Sequence, residues 1–170
     1  MKFLHAKRKR AFTLIELLIF IAVIAILAAA IFVAIDPARR LHEARNARRY
    51  SDTASILAAI KTYQVDNGGT HYTTVAAATA GLYFQIGTSV GECDVSCNGS
   101  ITLQGQCVDI TTIGSGYLAK VPKDPYSGVD SGTFYYLFRN STNDITIGAC
   151  GEEAEGAGGA GTTPTIEVAR

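Results

Sequence analysis

The 170-residue sequence has no tryptophan, one methionine and only three histidines, His5, His42 and His71, spread over three different parts of the chain. It has no H-E-x-x-H pair and no phosphate-binding G-x-x-x-x-G-K-[ST] loop. A catalytic constellation therefore has little to rest on, and the chain reads as a non-enzyme. Charge is sparse and unevenly placed. The formal net charge is zero, but residues 1–61 sum to +7 and residues 62–170 to −7. Such segregation points the basic part toward anionic lipid or an acidic neighbour and leaves the acidic part in water.

The length suits one ordinary domain with an appendage. All four cysteines, Cys93, Cys97, Cys107 and Cys150, lie in the C-terminal part. Their even number and clustering fit an extracytoplasmic domain held by two disulfides, with three connectivities open. Zinc is the competing reading, but a C-x3-C followed by distant single cysteines does not match its usual paired spacing.

What the sequence does have is one long apolar run. Leu17 to Ile35 carries no charge, and as a helix it covers roughly 28 Å, close to the ~30 Å of a bilayer core. It is apolar all round, which is unusual for a buried helix in so small a domain. Lys7, Arg8, Lys9 and Arg10 precede it, while Arg39, Arg40, Arg45, Arg48 and Arg49 follow it, so basic residues alone leave its orientation undecided. The cysteines tip the choice toward a C-terminal part outside the cytoplasm. A cleaved secretory signal is an alternative, since Ala28-Ala29-Ala30 fits an A-x-A site, yet Ile31 to Ile35 continue the apolar run beyond it. A plain uncleaved anchor is the third reading. Glu16, at the threshold of the run, fits neither alternative, because a charge within a span costs on the order of 2.5–3.5 kcal/mol and calls for a partner. Arg10 or Lys9 could serve in the intact chain.

The stretch AFTLIELLIFIAVIAILAAA, residues 11–30, with the basic residues before it, closely resembles the N-terminal signal of bacterial type IV prepilins and type II secretion pseudopilins. The resemblance implies cleavage after Ala11 by a prepilin peptidase and N-methylation of Phe12. It also implies docking of Glu16 on the Phe12 amine of an adjacent subunit, with Thr13 part of the same assembly motif. Two departures stand out: Ala11 occupies a place where the family usually has glycine, and Val33 a place where a helix-loosening proline is common. The partners implied are other copies of the chain in a filament, related minor pilins, an inner-membrane assembly platform and the lipid bilayer. The subunit would sit as a single-pass cytoplasmic-membrane protein before assembly and in an extracytoplasmic filament afterwards. A secreted or anchored binding domain that does not polymerise is the alternative function.

The chain divides accordingly into a leader (1–11), an apolar helix (12–35), an amphipathic helix (36–69), a β-rich globular part (70–150) and a tail (151–170). Asp36-Pro37 reads as a helix start at proline. Leu41, Ala44, Ala47, Tyr50, Ala54, Leu57, Ile60 and Tyr63 then recur at spacings of three and four, predicting a helix that stops at Asn67-Gly68-Gly69. Asp36 with Arg40, and Arg48 with Asp52, are spaced to pair across a turn. The helix arginines read as contacts to lipid head groups and acidic neighbours rather than to DNA, since no aromatic residues interleave them as in single-strand binders.

Strands are expected at 100–104, 107–113, 133–139 and 144–149, with turns at Gly105 and at Asn140–Asn143. Phe134, Tyr136 and Phe138 share a face expected to cover the helix. The fold class is α+β and pilin-like, a long N-terminal helix packed against a small antiparallel sheet. GYLAKVPKDPYSG, residues 116–128, is a rigid two-proline turn. It also resembles the segment before an aromatic strand in major pseudopilins, which implies a calcium site with Asp124 and Asp130 as ligands. The Gly/Ala/Glu-rich tail reads as a flexible peptide ending in a candidate edge strand, TIEV.

Overall fold

The computed structural model describes residues 12–88, 91, 93, 97, 103–114 and 116–170. The chain forms two compact units, Met1–Pro37 and Ala38–Arg170. In the first, helix α1 (Leu14–Ile35) buries none of its side chains. It ends at Asp36, whose left-handed backbone (φ 47°, ψ 73°) suits a short polar residue placed before proline. Pro37, whose missing N–H would be unpaired in a first turn anyway, opens the next helix, α2 (Pro37–Asp66).

The second unit packs α2 against a sheet. Helix α2 stops where expected: Gly68 and Gly69 take positive φ, and the Gly69 N–H donates to the Gln64 carbonyl. A short helix α3 (Thr73–Ala77) follows, then β1 (Tyr83–Gly87), β2 (Leu103–Val108), β3 (Gly132–Arg139), β4 (Ile145–Ala149) and β5 (Glu167–Ala169). The strand order is β2-β1-β3-β4-β5, with β1 and β2 parallel and the other pairs antiparallel. The sheet is thus mixed, not antiparallel throughout. Gly105 lies inside β2 rather than turning a hairpin, while residues 100–102 of the first expected strand fall outside the described part. A parallel partner needs a crossover of a dozen or more residues, and residues 88–102 supply it. Strand β1 has no clear alternation, which is why it escapes a pattern search; its last four residues are all buried.

The main core joins Ile56, Leu57 and Ile60 of α2 to Phe84, Ile86, Tyr135, Leu137, Ile145 and Ile147 of the sheet. In β3 it is Tyr135 and Leu137 that face the helix, whereas Tyr136 lies in a second cluster with Cys97 and Cys150. Tyr83 stacks on Phe138 at 4.6 Å and meets Tyr136 edge-on at 5.5 Å. Phe134, Tyr136 and Phe138 therefore do not cover the helix. Both faces of β3 are apolar, so alternation alone leaves a one-residue ambiguity that exchanges them.

The helix face is also displaced from the apolar stripe. Ile56, Leu57 and Ile60 are buried, but Leu41, Ala44, Ala47, Tyr50 and Ala54 are exposed, and Asn46, Arg49 and Thr53 turn inward instead. The tail is folded too. Ile166 is fully buried, β5 pairs with β4, and Ala157–Gly159 forms a 3-10 turn.

Candidate processing and assembly site

The first turn of α1 is closed by a capping box. Thr13, in extended conformation, accepts a hydrogen bond from the Glu16 N–H through its hydroxyl (3.3 Å). In return the Glu16 carboxylate accepts from both the Thr13 N–H and the Thr13 hydroxyl, each at 2.8 Å. The box satisfies donors that a helix start leaves open, and it sets a negative charge at the positive end of the helix dipole. Within this chain Thr13 is thus a partner for Glu16. The basic residues proposed for that role, Lys9 and Arg10, lie with Ala11 outside the described residues. Phe12 stands at the edge of the box and is 89 % exposed.

Beyond the box, α1 presents apolar side chains on every side, none of them buried among the described residues. A continuous apolar surface of this size is not left in water by a folded protein, and by length and composition the helix can cross a membrane. The family described as the prokaryotic N-terminal methylation motif matches residues 6–32. The chain bears the hallmark of prepilin-type proteins. The match covers the basic residues Lys7 to Arg10, Ala11, Phe12, Thr13, Glu16 and most of α1, and it supports a pilin-like or pseudopilin precursor. No curated protein and no solved structure matches the chain.

In the globular unit, the inward polar face of α2 meets the tail. The Arg49 guanidinium is fully buried and grips Asp124 at two points, Nε to Oδ2 at 2.5 Å and Nη2 to Oδ1 at 3.2 Å. Its Nη1 donates to Glu153 at 2.9 Å and to Asn46 at 2.8 Å. Asp124 also accepts from the backbone N–H groups of Tyr126 and Ser127. Burial opposes the Asp124 charge, but Arg49 and these N–H donors prevail and hold its carboxyl below the usual aspartate value. Burial likewise opposes the Arg49 charge, and Asp124 and Glu153 overcome it, raising its pKa. Glu153 reaches Arg45 at 2.5 Å and His42 at 3.5 Å. Asn46 clamps the tail backbone, donating to the Glu153 carbonyl and accepting from the Glu153 N–H.

This network changes the reading of Asp124 and Asp130. Asp124 is committed to Arg49, and Asp130 is an exposed carboxylate beside Lys123 (3.0 Å) and Lys120 (3.5 Å). A calcium ion at Asp124 would have to displace a buried guanidinium. Among the described residues no group of three or more His, Cys, Asp or Glu side chains is placed to hold a metal. The arginine series is likewise engaged within the chain: Arg39 and Arg40 with Glu43, Arg48 with Asp52, Arg45 with Glu153 and the face of Tyr126. Asn46, Arg49 and Glu153 are absent from the apolar-stripe reading, yet a signal exists. His42, Arg45, Asn46 and Arg49 fall at i, i+3, i+4 and i+7, opposite in sign to Glu152-Glu153-Ala154-Glu155.

The four cysteines form two disulfides, Cys93–Cys107 and Cys97–Cys150. In a chain-entropy account, loops of these lengths contribute about 3 and about 4 kcal/mol. Two short patterns with catalytic overtones also occur. Gly87-Thr88-Ser89-Val90-Gly91 has nucleophile-elbow spacing, but no helix follows β1 before β2 among the described elements, and every histidine of the chain precedes it. Gly156 to Gly161 matches a dinucleotide fingerprint by spacing, yet it opens a three-residue 3-10 turn instead of a βαβ helix.

Proposed function

We propose that this chain is a structural subunit of a type IV pilus or type II secretion pseudopilus filament. A prepilin peptidase removes the leader after Ala11, the new Phe12 amine is methylated, and the subunit waits in the cytoplasmic membrane with α1 spanning it. An assembly platform then draws it into an extracytoplasmic filament with other copies and related minor subunits. In the filament, burial of α1 among neighbouring helices supplies cohesion. Glu16 supplies register, since a carboxylate in an apolar bundle is costly unless it meets a cation. The Phe12 amine of an adjacent subunit is that cation. To reach it, Glu16 exchanges its Thr13 contacts for the new charge.

The observation that carries this reading is the coincidence of the methylation motif at residues 6–32 with an apolar helix whose single acid lies in its first turn. The test is a Glu16→Ala variant in the native membrane. It should insert and be cleaved as usual but yield few filaments; normal filament numbers would sink the role given to Glu16.

A further inference from the structure

The two disulfides are interlaced. Cys93 bonds Cys107 and Cys97 bonds Cys150, so neither bridge joins cysteines that are consecutive along the chain. The sheet explains why. Cys107 lies on β2 and Cys150 directly follows β4, with β1 and β3 between them. Three interstrand steps of about 4.8 Å put those positions roughly 14 Å apart. A disulfide needs Cα atoms within about 7 Å, so Cys107 cannot bond Cys150 in the folded domain. Cys93 and Cys97 are each fully buried at separate anchor points, Cys93 beside the Ser131 carbonyl and Cys97 beside the Ala149 carbonyl. Their spacing in sequence allows a separation of up to about 14 Å. The folded domain thus holds the interlaced pairing and excludes the one that joins Cys93 to Cys97 and Cys107 to Cys150.

An unfolded chain prefers another. Loop closure becomes more probable as loops shorten, so Cys93 meets Cys97 roughly 6-fold more often than it meets Cys107. These two cysteines are also the first to emerge when the part of the chain after α1 is moved across the membrane as it is made. Oxidation ahead of folding therefore yields Cys93–Cys97 and, with the remaining thiols, Cys107–Cys150. That species has no thiol left with which to correct itself.

We infer that this chain is a substrate for thiol–disulfide isomerisation, and that its maturation includes exchange with an external thiolate as well as oxidation. In the oxidation steps, each pair of thiols passes two electrons and two protons to an acceptor disulfide, which becomes a dithiol. In the exchange steps, a catalytic thiolate attacks Cys97 Sγ and breaks the Cys93–Cys97 bond, releasing the Cys93 thiolate. Cys93 attacks Cys107 Sγ, forming Cys93–Cys107 and releasing the Cys150 thiolate. Cys150 then attacks Cys97 Sγ in the mixed disulfide, forming Cys97–Cys150 and returning the catalytic thiolate. No net electrons move in this exchange. The partner implied is a dithiol exchange protein in the compartment that holds the globular unit, whether or not the subunit polymerises.

The test refolds the full-length, reduced chain in detergent with a non-thiol oxidant, diamide, either alone or with reduced glutathione added afterwards. Bridges are then mapped by mass spectrometry after two proteases, one cutting before Asp94, which separates Cys93 from Cys97, and one cutting after Leu103, which separates Cys97 from Cys107. Diamide alone should give several-fold more Cys93–Cys97 than Cys93–Cys107, and glutathione should convert it to the interlaced pair. The double variant Cys93→Ser, Cys107→Ser should form Cys97–Cys150 with diamide alone, with no gain from glutathione. Interlaced bridges formed by diamide alone, at the rate and yield seen with glutathione, would overturn the inference.

Discussion

Arg49 and Asp124, 75 residues apart in sequence, meet as a two-point ion pair with neither side chain exposed to solvent. The pair ties α2 to the turn before β3, and Glu153 extends it to the tail. Charges taken out of water hold together only when each is met, so the triad fixes how three distant segments pack.

Removing one partner leaves the other buried and unmatched. Arg49→Ala should destabilise the globular unit by about 3–5 kcal/mol. Arg49→Lys should recover only part of that, because an ammonium cannot reproduce the fork to both Asp124 oxygens. Guanidinium unfolding followed by circular dichroism would measure both; an unchanged midpoint in Arg49→Ala would contradict the account.

Acid should weaken the fold in two stages. Burial, with Lys61 and Arg139 nearby, lowers the His71 pKa below its usual value of about 6.5. The unfolded chain therefore takes up this proton first, and stability falls as pH drops below about 6.5 until the folded histidine is protonated too. His71→Gln should remove this stage. The Asp124 carboxyl is depressed, so its contribution is intact above about pH 4 and is lost as pH falls through its lower folded value. Unfolding midpoints measured against pH in the two backgrounds, wild type and His71→Gln, separate the stages.

The tail should open when its anchor is cut. Glu153→Ala removes contacts to Arg45 and Arg49, and should raise amide exchange over residues 151–161 while β3 stays protected. Equal protection of the tail in variant and wild type would refute the anchoring role.

The two faces of β3 should differ in consequence. Leu137, fully buried against α2, should cost about 2–5 kcal/mol when cut to alanine. Phe138→Ala, on the half-buried face with Tyr83, should cost less. The reverse order would restore the helix-facing role to the Phe134, Tyr136 and Phe138 face.

Legibility in the sequence followed the strength of the physical signal. The apolar helix, the stop of α2 at Gly68-Gly69, strands β3 and β4 and the motif around Glu16 were all readable, because each rests on a periodic pattern or a residue with one conformational use. Strand β1 was not, since its consecutive buried residues show no alternation. Gly105 suggested a turn and instead lies in a strand at the sheet edge, beside a register shift in the parallel pairing with β1. The inward polar face of α2 was hidden for a different reason. Its partners, Asp124 and Glu153, are distant in sequence, and a helix read alone places charge outward. Cysteine pairing is a property of strand order, which spacing does not encode.

The most direct test of the central claim is mass spectrometry of the N-terminal peptide of the protein recovered from its own membranes. The account predicts a chain that starts at Phe12 and carries a methyl group on its α-amine. A chain that starts at Ile31, or one that retains Met1 throughout, would contradict it.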